Sequence, residues 1–106
     1  MTTSEKSKLP LISVLIPLYN REFYIIQTLD SLLNDSYPNT EILVIDDGST
    51  DNSLAAVKKW AAAHPEIKTQ VKSRPNKGLA QTIYELIGWS KEIGRASCRE
   101  RVLNLV

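Results

Sequence analysis

The segment Glu41–Asp51, EILVIDDGSTD, decides the fold of this chain. It opens with a short, nearly continuous apolar run up to Asp46 that is rich in Val and Ile, as is typical of a strand covered on both faces. Strands of this kind are usually parallel. Two adjacent carboxylates and Gly48 follow at once, so the segment predicts a buried strand that ends in a polar loop before a helix.

A second apolar run, LISVLIP at residues 11–17, precedes this segment and predicts another buried strand. Between the two strands, apolar residues recur at the spacing of one helix face, and this helix must end before Pro38. The stripe consists of Ile25, Leu29, Leu32 and Leu33. Strand, helix and strand together predict a βαβ unit with a right-handed crossover.

The pattern repeats after the acidic loop. A second helix should stop before His64, a weaker and less buried strand should lie near residues 67–72, and a third helix should follow from Gly78. The apolar stripes of these helices are Leu54, Val57, Trp60 and Ala61, and then Leu79, Ile83, Leu86 and Ile87. The sequence therefore predicts an α/β fold, a Rossmann-like βαβαβα parallel sheet with helices on its faces.

Length and composition fit one small domain without a nucleic-acid partner. The 106 residues allow one modest core, and 42% hydrophobic and 24% charged residues are ordinary for a globular protein. Positive and negative residues balance over residues 1–91, so there is no basic face to predict nucleic-acid binding. The polar start of the chain lacks the apolar core of a signal peptide, no apolar run is long enough to cross a membrane, and Cys98 is the only cysteine. A cytoplasmic location is expected.

Residues that could bind a ligand follow directly after the predicted strands. In open parallel sheets, ligands bind in the crevice beyond the carboxyl ends of the strands. The adjacent carboxylates Asp46 and Asp47 repel each other and cost desolvation energy, which favours a ligand role for the pair. Such a carboxylate could accept hydrogen bonds from a nucleobase or ribose, and cations after the third strand could meet a phosphate. The other candidates are Pro17, Tyr19, Asn20 and Glu22 after the first strand, and Arg74, Asn76, Lys77 and Gly78 after the third.

Structural roles compete with ligand binding at several of these positions. Asp46 could start an Asx turn, and Asp51 is favoured as a helix cap because it lies just before Leu54. Tyr19 could be a packed loop aromatic as well as a base platform, and Asn20 a turn residue as well as a contact. Each position is therefore ambiguous when it is taken alone.

Three segments, SVLIPLYNRE, EILVIDDGSTDNS and RPNKGLA, resemble in order and spacing the start of family-2-like glycosyltransferases with the GT-A fold. The similarity covers residues 11–90, and enzymes of this family transfer a sugar from a nucleotide-sugar donor to an acceptor. The resemblance implies that Pro17, Tyr19 and Glu22 belong to a donor-pocket motif, with Tyr19 near the base. It also implies that Asp47 of the acidic pair binds uracil or another base.

The same resemblance implies roles for the third segment and for the complete protein. Asn76 and Gly78 match a segment that closes over the nucleotide. For the complete protein, the resemblance implies a UDP-sugar donor, a saccharide or lipid-linked acceptor and inversion at the anomeric carbon. It also implies a role in cell-surface polysaccharide biosynthesis. The complete protein could also be associated with a membrane.

This sequence departs from the family pattern after the third predicted helix. The family continues with a D-x-D-type motif, which holds Mg²⁺ or Mn²⁺ against the donor diphosphate, and with a downstream carboxylate that acts as catalytic base. Neither occurs in this chain. The chain is therefore expected to be a truncated N-terminal half of a GT-A domain that binds no cation and transfers no sugar, whereas its parent would use Mg²⁺ or Mn²⁺.

The final stretch of the chain has a different character. Ile93–Val102 matches the in-frame translation of a common short-read sequencing adapter, ATC GGA AGA GCG TCG TGT AGG GAA AGA GTG. Its composition shifts abruptly and shows no strand pattern, and a genuine basic amphipathic tail is the alternative. The predicted organisation is a polar tail at residues 1–10, a nucleotide-sugar-binding part at residues 11–91 and an artefactual tail at residues 92–106.

Two other protein classes fit less well. A non-catalytic nucleotide-binding or regulatory module, such as a receiver-like domain, would place its acidic pair after the first strand, where this chain has Pro17 to Asn20. A phosphatase of the haloacid-dehalogenase type would separate its two aspartates by one residue, whereas Asp46 and Asp47 are adjacent. The first of these classes remains the main alternative.

Overall fold

The computed structural model describes residues 11–34, 39–93 and 99–102, in which strands and helices alternate along the chain. The strands are β1 (Ile12–Leu18), β2 (Thr40–Asp47), β3 (Lys68–Arg74) and β4 (Arg99–Val102). The helices are α1 (Ile25–Leu33), α2 (Ser53–Ala63) and α3 (Leu79–Ile93). The predicted Rossmann-like α/β fold is confirmed.

The strands form one parallel sheet in the order β3-β2-β1-β4. Because β1 and β2 lie in the middle and are covered on both faces, both are nearly continuous apolar runs in the sequence. β3 lies at an edge and none of its residues is fully buried, which confirms the less buried position expected from its alternating polar residues.

Each face of the sheet has its own hydrophobic core, because successive side chains of a strand point to opposite faces. α1 and α2 cover one face, and Trp60 of α2 donates a 2.9 Å hydrogen bond through its indole Nε1 to Asp30 of α1. α3 covers the other face. The first core comprises Val14, Ile16, Leu18, Ile25, Leu29, Ile42, Val44, Val57 and Trp60, and the second comprises Leu15, Leu43, Ile45, Leu86 and Trp89.

The predicted apolar stripes of the helices are buried only in part. Leu33 and Leu79 are 41% and 43% exposed, since each is a terminal residue of its helix. Trp89, which was absent from the predicted stripe of α3, is buried instead. It lies three residues after Leu86, and Lys72 of β3 covers its ring with the ammonium group 4.1 Å from the ring centroid.

The prediction that no strand follows α3 is wrong. β4 pairs in parallel with β1, and Ile12 to Leu15 are its partners in the register. A short strand can join the free edge of β1 through main-chain hydrogen bonds, which do not require an apolar side-chain pattern. Pairing does not bear on the origin of residues 93–102, so the artefact interpretation stays a prediction. The N-terminal tail at residues 1–10 and residues 103–106 lie outside the described residues.

Candidate functional site

Most of the candidate residues meet at one edge of the sheet, beyond the carboxyl ends of β1, β2 and β3. The register places Leu18 beside Asp46, and Asp47 beside Arg74, so the three strands end level with one another. The loops that follow them are therefore neighbours. These loops are residues 19–24 after β1, residues 48–52 after β2 and residues 75–78 after β3.

Asp47 lies at the centre of the site formed beyond the carboxyl ends of these strands. Its side chain is 5% exposed, and each of its carboxylate oxygens accepts two hydrogen bonds. Oδ1 accepts from Nη1 of Arg74 and from the backbone N–H of Lys77 at 2.7 Å. Oδ2 accepts from Nδ2 of Asn76 at 3.2 Å and from the backbone N–H of Gly78 at 3.1 Å. Because a carboxylate offers about four acceptor positions, Asp47 is satisfied within the chain.

These contacts also fix the charge of Asp47. Burial raises the pKa of this carboxyl, but the hydrogen bonds from Lys77, Arg74 and Gly78 and the positive charge of Arg74 outweigh it. The pKa of Asp47 is therefore held below its ordinary value. The carboxylate stays ionised at neutral pH and presents negative charge at the end of the sheet.

Arg74, the last residue of β3, uses all five of its N–H donors inside the chain. Besides Asp47, Nη1 donates to the backbone carbonyl of Pro75 at 3.1 Å. Nη2 donates to Thr82 Oγ1 at 2.9 Å and to Glu85 Oε2 at 3.0 Å, and Nε donates to Glu85 Oε1 at 2.9 Å. In this arrangement the guanidinium has no donor left for a phosphate. Its direct contact with a donor molecule stays a prediction.

Asp46 faces the opposite side of the sheet from Asp47, because neighbouring residues of a strand alternate. Its Oδ2 accepts a hydrogen bond from Ser73 Oγ at 3.1 Å, and its Oδ1 lies 3.4 Å from the backbone N–H of Ser49. Ser49 lies three residues after Asp46, whereas an Asx turn would use the backbone N–H two residues on, so the contact gives Asp46 a structural partner without forming that turn. Alternation and internal partners thus accommodate two adjacent carboxylates, and their adjacency by itself does not require a ligand.

The loop after β1 is joined to the loop after β2 by side-chain oxygens. Asn20, whose φ of 50° lies in the left-handed region, accepts a 2.8 Å hydrogen bond at Oδ1 from the backbone N–H of Thr50. The backbone N–H of Asn20 donates to Ser49 Oγ at 2.9 Å, and that of Arg21 donates to Ser53 Oγ at 2.7 Å. Asn20 therefore holds the two loops together.

Asp51 completes the connection between these loops. Its Oδ1 accepts from the backbone N–H of Ser53 at 2.9 Å and its Oδ2 from the backbone N–H of Glu22 at 3.3 Å. The capping role predicted for Asp51 is thus partly realised, although the N-cap position itself is occupied by Asn52. Burial raises the pKa of Asp51, but the hydrogen bonds from Ser53 and Glu22 outweigh it and lower that pKa.

The other candidates from the first loop differ in accessibility. Pro17 is buried within β1, so its contribution is to the strand. Tyr19 is 45% exposed at the start of the loop, and Phe23 and Tyr24 farther along are 85% and 61% exposed. Among the predicted site residues of this loop, Tyr19 is the one whose aromatic ring is open to a ligand.

Two glycines allow the loop after β3 to close over Asp47. Gly48 has a φ of 69°, and a Cβ atom there would lie 2.6 Å from the backbone nitrogen of Asn76. Asn76 in turn donates through Nδ2 to the backbone carbonyl of Asp47 at 3.1 Å. Gly78 has a φ of 97° and begins the turn into α3. The predicted proximity of Asp47, Asn76 and Gly78 is present in the structure.

Sequence reasoning missed Thr82 and Glu85, which reach the site from α3. Both contact Arg74, and Glu85 also accepts a 3.1 Å hydrogen bond from Gln81. No spacing rule connects a helix residue to the end of the preceding strand. The only available signal was the polar character of these positions on a helix whose other inward residues are mostly apolar.

The described residues do not fit a divalent cation. Among them, no group of three His, Cys, Asp or Glu side chains lies close enough to hold a metal ion. The two strand-end carboxylates point to opposite faces, and the oxygens of Asp47 are already engaged by N–H groups.

Comparison with known proteins gives a consistent picture. The profile of the family described as Glycosyl transferase family 2 matches residues 13–92. A hyaluronan synthase from Pasteurella multocida is 34% identical over 88 residues, which are 83% of this chain and 9% of the synthase. A chondroitin synthase from Escherichia coli is 38% identical over 72 residues, which are 68% of this chain and 10% of that protein.

The fold also resembles that of a solved structure. A mannosyltransferase from Pyrobaculum calidifontis, in complex with GDP-Man and Mn²⁺, superposes with a TM-score of 0.73 at 28% identity. The match covers 79% of this chain and 25% of that protein, so the chain spans a small part of the relatives it matches. Within the described ranges, no helix is both long and apolar enough to cross a membrane.

Proposed function

Because the chain belongs to glycosyltransferase family 2, we propose that its strand-end site binds the nucleoside diphosphate part of a nucleotide-sugar donor. The use of such donors is general in this family. The observation that carries the proposal is the ionised, nearly buried carboxylate of Asp47, which lies at the carboxyl edge of a parallel sheet.

The exposed ring of Tyr19 supplies a surface on which a base can stack. A ring N–H of the base then donates to Asp47 in place of one of its internal donors. The side-chain amide of Asn76 is the donor best suited to give way, because its 3.2 Å bond is longer than those from Lys77 and Gly78. This amide also keeps its bond to the backbone carbonyl of Asp47. Lys77 is exposed beside this position and places a positive charge near the phosphates.

For the complete protein we propose sugar transfer from a UDP-sugar to a saccharide or lipid-linked acceptor, with inversion at the anomeric carbon. Polysaccharide synthases among the relatives support an acceptor of this kind. The parent would need Mg²⁺ or Mn²⁺, with cation ligands and catalytic base outside the described residues. The 106-residue chain itself is expected to bind the nucleotide without transferring sugar.

Calorimetric titration of the 106-residue chain with UDP and GDP tests this proposal. We expect one of the two to bind, and Asp47→Asn to weaken binding about 10- to 100-fold, since a hydrogen bond to a charged group contributes about 1.5–3 kcal/mol. Glu66→Gln, an exposed carboxylate outside the site, is the matched control and should bind as the original chain does. Circular dichroism confirms that each variant is folded.

Absence of binding of both UDP and GDP by the original chain would reject the proposal. Equal binding by Asp47→Asn and by the control would show that the strand-end carboxylate is not used. The chain can also be incubated with a UDP-sugar or a GDP-sugar in the presence of Mn²⁺. Release of free sugar or formation of a glycosylated product would contradict the expected lack of transfer by this chain. Nucleotide binding without any transfer by the complete protein would favour the non-catalytic nucleotide-binding module.

A further inference from the structure

Glu85 lies in α3, outside the three segments that carry the family resemblance. It is nevertheless connected to Asp47 through Arg74. Both of its carboxylate oxygens accept hydrogen bonds from Arg74, at 2.9 Å from Nε and 3.0 Å from Nη2. We propose that Glu85 is a positioning residue for nucleotide binding, which orients the guanidinium of Arg74 so that Nη1 faces Asp47.

The geometry of the guanidinium explains why orientation matters. The group is planar and its donors form a rigid fork. Glu85 engages Nε and one N–H of Nη2, and Thr82 engages the other N–H of Nη2 at 2.9 Å. Only Nη1 is then directed at Asp47, where it takes one of the four acceptor positions.

Without Glu85, the Nε edge of Arg74 would be free to form a two-bond fork with Asp47. Such a fork covers both carboxylate oxygens. It would compete with the backbone N–H groups of Lys77 and Gly78, which hold the loop after β3 in place. Glu85 therefore limits Arg74 to one contact and leaves the remaining acceptor positions of Asp47 for the loop and the base.

Electrostatics support this arrangement. The hydrogen bond from Arg74 is the largest cause that lowers the pKa of Glu85, and the hydrogen bond to Glu85 is the largest cause that raises the pKa of Arg74. Both groups are therefore charged at neutral pH. The side chain of Glu85 is 30% exposed and that of Arg74 is 15% exposed, so the pair is partly shielded from solvent.

The inference rests on the proposed function only for its effect on nucleotide affinity, and its test therefore has two readouts. The first is hydrogen exchange at the backbone N–H groups of Lys77 and Gly78 in the ligand-free chain, followed by NMR. The second is the dissociation constant for UDP or GDP, whichever the original chain binds more tightly. Glu92→Gln is the matched control, because it removes the same charge from an exposed position of the same helix.

We expect Glu85→Gln to accelerate exchange at both N–H groups and to weaken nucleotide binding about tenfold, the loss that follows when one hydrogen bond between charged groups is weakened. Glu85→Asp, which keeps the charge, should restore part of both properties. In an Arg74→Met background, Glu85→Gln should change neither readout further. Non-additivity of this kind distinguishes action through Arg74 from a general loss of stability.

The inference is overturned if Glu85→Gln behaves like Glu92→Gln, or if its effect is the same with and without Arg74. Absence of nucleotide binding by the original chain would reject the proposed function instead. In that event the exchange measurement still decides whether Glu85 acts on the Asp47 loop through Arg74. The two failures are therefore distinguishable.

Discussion

Replacement of three glycines by alanine, one at a time, separates the energetic cost of backbone strain from that of close packing at the site. Gly48 combines a φ of 69° with a backbone atom 2.6 Å from the position of a Cβ. Gly78 has a φ of 97° but nothing within 4 Å of that position. Gly88 lies inside α3 with nothing within 4 Å, so alanine there meets neither obstacle.

The expected free energies of unfolding follow from these differences. Gly88→Ala should stabilise the chain by about 0.5–1 kcal/mol, because alanine is the better helix former. Gly78→Ala should destabilise it by about 1–2 kcal/mol, the cost of a left-handed conformation for a residue with a Cβ. Gly48→Ala adds a clash with the backbone of Asn76, whose loop supplies three of the hydrogen bonds to Asp47. The loss of one such bond adds about 1.5–3 kcal/mol, so Gly48→Ala should destabilise the chain by about 2.5–5 kcal/mol.

Urea unfolding of the three variants, monitored by circular dichroism, measures these values. The predicted order of stability is Gly88→Ala, then the original chain, then Gly78→Ala and finally Gly48→Ala. If Gly48→Ala and Gly78→Ala lose the same stability, the close approach of Asn76 to Gly48 is not energetically important. If Gly88→Ala is destabilising, the helical environment assigned to that residue is wrong.

Two further predictions concern acid stability and base stacking. Asp47 and Asp51 both have a pKa below the ordinary value of 3.8 in the folded chain. Their ionised forms therefore stabilise the fold fully at pH values above the unfolded-state pKa. This stabilisation is lost as the pH falls through the lower folded-state pKa values. Urea unfolding from about pH 5 to about pH 2 should show this loss, and an Asp51→Asn variant should show less of it; an unchanged acid profile would refute the assignment. Tyr19→Ala should weaken nucleotide binding by about 1–3 kcal/mol whereas Tyr19→Phe should bind almost normally, because stacking needs only the ring. Tyr84→Ala, 75% exposed on α3, is the control for that titration, and equal affinity of Tyr19→Ala and this control would exclude stacking on Tyr19.

The sequence was sufficient to predict the parallel sheet, because burial of a strand on both faces requires apolar residues within that strand itself. β1 and β2 are covered on both faces, and strands in that environment are mostly apolar, as LISVLIP and EILVID are apart from Ser13, Glu41 and Asp46. The edge strand β3 faces solvent in part, and its alternating polar residues indicated this position correctly. β4 was not predictable, because its four residues join β1 by main-chain pairing.

The site was predictable in location and only partly in detail. Strand ends in a parallel sheet converge, which is why Asp47, Asn76 and Gly78 lie together beyond them, and their role in ligand binding stays a prediction. What a local pattern does not contain is the partner of each side chain. The sequence allowed Arg74 to meet a phosphate, and this contact stays a prediction, but it did not indicate that Glu85 and Thr82 on α3 occupy the donors of Arg74 together with Asp47. Such contacts depend on how a helix packs on the sheet.

Binding of a nucleoside diphosphate at the carboxyl ends of the strands can be followed residue by residue. Titration of the ¹⁵N-labelled chain with UDP and with GDP, followed by the backbone N–H signals in NMR, tests it most directly. We expect saturable shifts at Tyr19, Gly48, Lys77 and Gly78, whereas Ile12 and Thr40 at the opposite end of the strands should not shift. Shifts confined to that opposite end, or no saturable shift with either nucleotide, would show that the site does not bind a nucleoside diphosphate.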